Sequence, residues 1–328
     1  MWTQLLALQV YPGRVLRIGL GTGEVGTVIE DTGMFPDGVV LADGVVYWTT
    51  MGAPETNPAK SGEAAQIFTR RNGNLHGHPL VGGRRRELVA SGVVTTGKQL
   101  AHDGAGTLYW CDREGRSISR VRTDGTGLTA LMVRPADEGV MGECVGVAVD
   151  SARGHLYWTQ KGPAKAGGGR IFRAGLEIPP GQSAQRRTDI EELWSGLPEP
   201  VDLQLDGDWL YWTDRGAPPA GNTLNRAPLP AAGRRGAAPE ILADGFEETT
   251  GLAVDGEAGL AYVSDLGGHI RMVPLPGGPD EGPRDLVKLD FPLTGLCGLD
   301  GVYDFGDPNG SGDSSGSNGS NGSSGARP

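Results

Sequence analysis

The strongest constraint on this chain is a repeat of roughly fifty residues. One unit reads Val145-Gly146-Val147-Ala148-Val149-Asp150, a Gly-bearing turn, Leu156-Tyr157-Trp158-Thr159, a second turn, then Ile171-Phe172-Arg173-Ala174. Matching pairs are Val39 to Asp43 with Val46-Tyr47-Trp48-Thr49, and Leu100 to Asp103 with Leu108-Tyr109-Trp110-Cys111-Asp112. Two more are Val201 to Asp206 with Leu210-Tyr211-Trp212-Thr213-Asp214, and Gly251 to Asp255 with Ala261-Tyr262-Val263-Ser264-Asp265. The second residue of the aromatic pair falls at 48, 110, 158, 212 and 263, so the spacings are 62, 48, 54 and 51. A period of this length marks an array of units that bury their apolar faces on one another.

Each segment is short, alternating or β-branched, and bounded by Gly, Asp or Asn, as hairpin-linked strands are. Fourth strands follow at Glu87-Leu88-Val89-Ala90, Thr129 to Val133, Ile190 to Trp194 and Glu240-Ile241-Leu242-Ala243. Four strands per unit is a propeller blade. Gly295 to Asp300 repeats the first-strand motif with no aromatic strand after it. Leu5 to Val10, Val15 to Leu20 and Gly26 to Glu30 supply three strands without a first. Sharing one blade between the chain ends closes a ring with no free sheet edge. The expected architecture is an all-β, six-bladed β-propeller over 1–306, followed at 307–328 by a Gly/Ser/Asn tail. That tail has no large apolar side chain to offset the entropy of ordering and is expected to be disordered.

Composition then narrows function. Gly and Pro total 79 of 328 residues, a share typical of disorder unless the glycines recur at structured turns, as most do here. Net charge is −11 with acids and bases interspersed, which speaks against nucleic acid and against a polybasic membrane anchor. Cys111, Cys144 and Cys297 match neither a zinc spacing nor a disulfide framework. The first ten residues lack a basic, long apolar leader, and no stretch approaches a membrane span, so a cytoplasmic setting is expected.

The Tyr-Trp-Thr-Asp strand behind an apolar strand ending in Asp resembles the YWTD propeller of the low-density-lipoprotein receptor family. Only Tyr211-Trp212-Thr213-Asp214 is complete; the other four copies each depart from it. The resemblance implies that the aromatics pack between blades and that the aspartates tie neighbouring blades together. Receptors of that family are secreted, carry cysteine-rich modules and bind proteins, features for which this sequence gives no sign. A less specific likeness, carried by Lys161-Gly162-Pro163-Ala164-Lys165 and Arg215 to Asn222, is to leaderless propellers of natural-product pathways, hetero-Diels–Alder cyclases among them.

Propeller topology turns the repeat into a map of where chemistry can sit. Loops between second and third strands share one face with the links between blades. At about 51–66, 161–169 and 215–222 they are long, whereas 113–117 and 266–269 are tight turns. Long loops on a rigid scaffold are where such folds place function. At the starts of the first strands, polar residues converge on the central channel at that face. They are Asp37, Lys98 with Gln99, Glu143, Glu199 with Asp202, Glu248 with Thr249 and Thr250, and Thr294. The bland reading is a wet channel lined by polar side chains. The sharper one is an acidic ring around Lys98, which stays charged beside Glu143 or Glu199, or loses its proton when desolvated. His76 and His78 alternate on one strand but lack a third metal ligand, so no metal site is expected. Hydrolase elbows, zinc-protease helices and dinucleotide fingerprints do not occur, and no cofactor is expected.

Two readings follow. One is a cofactor-independent enzyme acting on a small-molecule substrate at the loop-rich face. In it, Lys98, Glu143 and Arg215 are catalytic, and Asp37, Met51, Gln99, Lys161, Glu199, Asp202, Asn222, Thr249 and Thr294 bind substrate. The other is a non-catalytic module docking a protein or ligand at the same face.

Overall fold

The computed structural model describes residues 1–59, 66–300 and 303. Six four-stranded antiparallel sheets form the blades of a propeller. Blade 1 is Pro36–Ala42, Val45–Thr50, Asn74–Pro79 and Arg86–Glu87, and blade 2 is Gly97–His102, Thr107–Asp112, Ser117–Arg122 and Thr129–Val133. Blade 3 is Cys144–Asp150, His155–Gln160, Gly169–Gly175 and Glu191–Leu197; blade 4 is Pro200–Asp206, Trp209–Asp214, Thr223–Pro228 and Glu240–Ala243. Blade 5 is Thr249–Asp255, Leu260–Asp265, His269–Pro274 and Arg284–Lys288. Blade 6 joins the C-terminal Leu293–Leu299 to the N-terminal Gln4–Gln9, Arg14–Gly19 and Val25–Ile29, which closes the ring as the repeat arithmetic requires. The expected tail at 307–328 and the boundary at 306 lie outside the described residues.

Side chains alternate across a strand, so adjacent aromatics of the repeat face opposite neighbours. Tyr109 packs into the cluster shared with Trp158 of blade 3, whereas Trp110 packs with Leu75, Leu88 and Val94 of blade 1. Tyr157 likewise meets Trp212 of blade 4. The tryptophans at 48, 110, 158 and 212 are at most 1% exposed, so the core is a set of interblade layers around the axis.

The residue after the second position of the aromatic pair, tryptophan in four copies and Val263 in the other, makes the polar joint. Thr49, Thr159, Thr213 and Ser264 each accept a backbone N–H within their own blade, from Gly38, Gly146, Asp202 and Gly251. Each donates its hydroxyl to a carbonyl on the next blade, at Lys98, Val201, Thr250 and Thr294. At the fifth copy Cys111 directs its thiol to Gly146 O at 3.3 Å. The repeat aspartates hold the incoming link instead: Asp112 accepts from Thr95 N and Thr96 N, and Asp214 accepts from Glu199 N.

Every first strand begins one to three residues earlier than its alternation suggests and carries a bulge there, for example between Pro36 and Val39 and between Gly97 and Leu100. Consecutive bulges nearly touch at the axis. A Cβ on Gly146 would lie 2.2 Å from Val201 O, which is why glycine recurs at this position. Blades 2 and 4 carry Gln99 and Asp202 there instead, and these two side chains reach the channel.

Candidate functional site

All second strands end on one face, so the three long loops open there together with the bulged starts of the first strands. Two linked groups of charges stand at this mouth. In the first, the Lys98 ammonium donates to Asp37 Oδ2 and lies 3.4 Å from Met51 Sδ, with the lysine and aspartate side chains only 11% and 4% exposed. Burial lowers the Lys98 pKa and the Asp37 carboxylate works against that fall. Asp37 Oδ1 is buried with no hydrogen-bond partner. This corrects the expected partner: Lys98 pairs with the preceding blade's Asp37 rather than with Glu143 or Glu199.

The second group is built on Glu199, which is fully buried. Its carboxylate accepts from Lys165 N at 3.0 Å and from Lys161 Nζ at 3.4 Å, with Arg215 Nε at 3.7 Å. Arg215 also reaches Glu248 Oε2 at 3.0 Å, and Lys165 Nζ pairs with Glu248 Oε1. The loops of blades 3 and 4 are thereby drawn together over the channel. Burial raises the pKa of Glu143, and Arg113 and Lys161 oppose that rise.

The remaining predicted residues have mixed placements. Asn222 accepts from Glu248 N at 3.2 Å, and Thr294 donates to Pro36 O at 2.8 Å, so both also serve the frame. Thr249 is fully buried with its hydroxyl unpartnered. Gln99 and Asp202 line an axial cavity of about 210 Å³ that continues away from the mouth to His102 and Leu205. Burial pushes the Asp202 pKa up to about 8, against the N–H groups of Leu252 and Leu203. A cavity of about 730 Å³ lies elsewhere, between blades 1 and 2, and none of the twelve predicted residues lines it. The mouth beneath the loops is filled largely by ion pairs. Lys60, on the first long loop, lies outside the described residues. His76 stacks on Trp48 with ring centroids 5.4 Å apart, and burial lowers its pKa to about 4, so packing accounts for it.

Sequence reasoning missed Arg113, since it sits on a turn too short to attract notice. Burial works against its charge, and Glu114 with Glu143 more than offsets this. The available signal was register: Arg113, Lys161 and Arg215 each directly follow the second strand in blades 2, 3 and 4.

Asp214 provides a pH test of this end of the molecule. Its Oδ1 accepts from Glu199 N and Gly216 N at 2.9 Å each, while Oδ2 is buried without a partner. Burial raises its pKa to about 7, from the 3.8 of an ordinary aspartate. The folded state therefore binds more protons than the unfolded one between these values, and wild-type stability falls as pH rises through that window. Asp214→Asn keeps the Oδ1 bonds and cannot ionise. Urea denaturation should show the variant gaining on wild type by up to about 1.4 kcal/mol per pH unit between pH 5 and 7, then levelling off. A constant difference from pH 5 to 8 would place the carboxylate in an unperturbed site.

No protein-family model matches the chain. It is 38% identical over 284 residues to the low-density lipoprotein receptor-related protein 1 of Pyricularia oryzae, covering 81% of this chain and 86% of that protein. It is 35% identical over 297 residues to the 3-hydroxyacyl-CoA dehydrogenase-like protein LAM1 of Cochliobolus heterostrophus, covering 85% of this chain but only 58% of that relative. Among solved structures, a chain of a nidogen/laminin complex aligns with a TM-score of 0.65 at 18% identity over 90% of this chain and 97% of its own. A putative 6-phosphogluconolactonase from Bacteroides uniformis aligns at 0.52 and 12% identity, over 86% and 81%. These two show a shared fold. Among the described residues no helix is long and apolar enough to cross a membrane.

Proposed function

The chain belongs to the YWTD-type six-bladed propeller family of the low-density lipoprotein receptor-related proteins, and from that premise we propose a cofactor-independent enzyme acting on a small molecule at the mouth of the channel. The carrying observation is a buried lysine beside the axis, held by Asp37, with Arg113, Lys161 and Arg215 following the second strands of three consecutive blades. Converging cations in a water-poor site suit a substrate with a carbonyl or carboxylate. Lys98 would polarise the carbonyl, Arg215 and Lys161 would orient the substrate, and Glu143, with its raised pKa, would carry a proton. Such a site supports non-redox lyase, isomerase or cyclase chemistry. A ring closure of the hetero-Diels–Alder kind draws only on positioning and polarisation.

The test incubates the full chain with fungal culture extract and follows ions consumed or formed by untargeted mass spectrometry. Lys98→Met and Arg215→Met should each slow the conversion by about 10²-fold or more, the effect of losing one preorganised donor. A conversion that both variants carry out at the wild-type rate would move the chemistry away from the mouth. A second reading, protein docking at this face, is favoured by the large apolar side chains exposed on its loops, Tyr11 at 72%, Met34 at 47% and Val140 at 46%. A stable complex with an extracted protein, together with no conversion, would select it.

A further inference from the structure

The 730 Å³ cavity between blades 1 and 2 has a cause in the sequence. Opposite the repeat tryptophan, blade 1 places His76 and blade 3 places Phe172, each stacked on that tryptophan at 5.4 Å between ring centroids. Blade 2 places Ser119 opposite Trp110. The outer strand of blade 1 is also only two residues long, against four to seven in the other blades. Ser119, the small residue at the ring position, lines the cavity together with Ala130, its partner on the next strand. The volume lies in the range of small-molecule sites, about 300–1,000 Å³.

Its walls carry unmet polar groups. Arg116 Nε and Glu114 Oε2, on residues that both line the cavity, are buried with no hydrogen-bond partner. The other Glu114 oxygen is occupied by Arg113 Nε at 2.8 Å. Arg116 is held at φ 50°, a left-handed backbone that a non-glycine residue adopts at a cost, in a turn closed by Arg116 N donating to Arg113 O. A buried donor and a buried acceptor two residues apart in one turn, each left open, call for partners that supply their complements. Arg71 stands exposed on the rim, and Phe68, Val93 and Leu128 supply apolar wall.

We propose that this cavity is a second ligand site, for a hydroxy acid with an apolar body. The carboxylate would lie on Arg116 and Arg71, the hydroxyl would donate to Glu114 Oε2, and the apolar body would fill the space above Ser119. The site shares none of the residues given a role at the channel mouth and touches that mouth through Glu114, which pairs with Arg113.

Titration calorimetry on the full chain with indole-3-lactate, indole-3-propionate and indole-3-propanol tests it. Indole-3-lactate should bind saturably, the propionate roughly tenfold or more weakly for want of the hydroxyl, and the propanol not measurably. Ser119→Phe supplies the ring that blade 3 carries and should abolish binding with its melting temperature retained. Arg116→Ala should weaken binding at least tenfold, and Lys98→Met should leave it unchanged. Should Ser119→Phe fail to fold, Arg71→Ala on the rim takes its place, with the same loss of affinity expected. Absence of saturable heat with indole-3-lactate up to roughly 10 mM, equal binding of the propanol, or binding that survives Ser119→Phe would overturn the assignment.

Discussion

Asp37→Ala is expected to lower the unfolding free energy by about 3–5 kcal/mol, because it strands a buried ammonium without its partner. Both side chains of the pair are nearly sealed from solvent, at 11% and 4% exposure, and the sulfur of Met51 at 3.4 Å cannot replace a carboxylate. Asp37→Ala with Lys98→Met removes both charges and should recover most of the loss, since an apolar pair of similar volume avoids the desolvation cost. Lys98 has a depressed pKa in the folded state, so the unfolded chain binds the extra proton between that value and 10.5. Stability of the single variant should therefore climb as the solution is made more alkaline through that range. Urea midpoints at pH 7 and 9.5 for the three proteins decide the matter. A double variant as unstable as the single one would mean that the charges are not what the fold tolerates only as a pair.

Deleting residues 1–30 should abolish cooperative unfolding altogether. Leu5, Leu6 and Leu8 are fully buried, and truncating each such side chain costs about 2–5 kcal/mol. Their sum is already comparable to the whole stability of a domain, about 5–15 kcal/mol. The deletion would also leave Leu293–Leu299 without the Gln4–Gln9 strand it pairs with, and would open the cores on both sides of blade 6. A circular permutant that starts at Thr32 and carries residues 1–30 behind Leu299 on a Gly/Ser linker should fold and melt in one transition. Near-ultraviolet circular dichroism distinguishes the two, and a folded, cooperative deletion variant would show that closure is dispensable.

The architecture was legible because five blades repeat one local rule, a tyrosine strand with tryptophan in four copies behind an alternating strand, and because the unmatched strands at the two ends sum to one blade. The strand starts were harder. Asp37-Gly38 and Thr250-Gly251 break the alternation while the strand continues through a bulge, so pattern alone placed each start too late. The residues converging on the channel mouth were readable from topology; their partners were not. Whether Lys98 reaches Asp37, 61 residues earlier, or Glu143 depends on the stagger between adjacent sheets, which no local pattern encodes. Loop length was a poor guide beside register, as Arg113 shows. The cavity over Ser119 was visible only as a missing ring, a signal that appears once the blades are aligned on their tryptophans.

Because Gln4–Gln9 pairs with Leu293–Leu299, at Gln4 with Leu299, the ring cannot close until residue 299 has been made. The ribosome adds about 5–20 residues per second, so the opening three strands wait tens of seconds for their mate. During that time Gln4–Gln9, whose six residues are all buried in the finished ring, presents an apolar edge to whatever is near. Covering that edge until Leu293–Leu299 arrives should therefore raise the yield of closed rings.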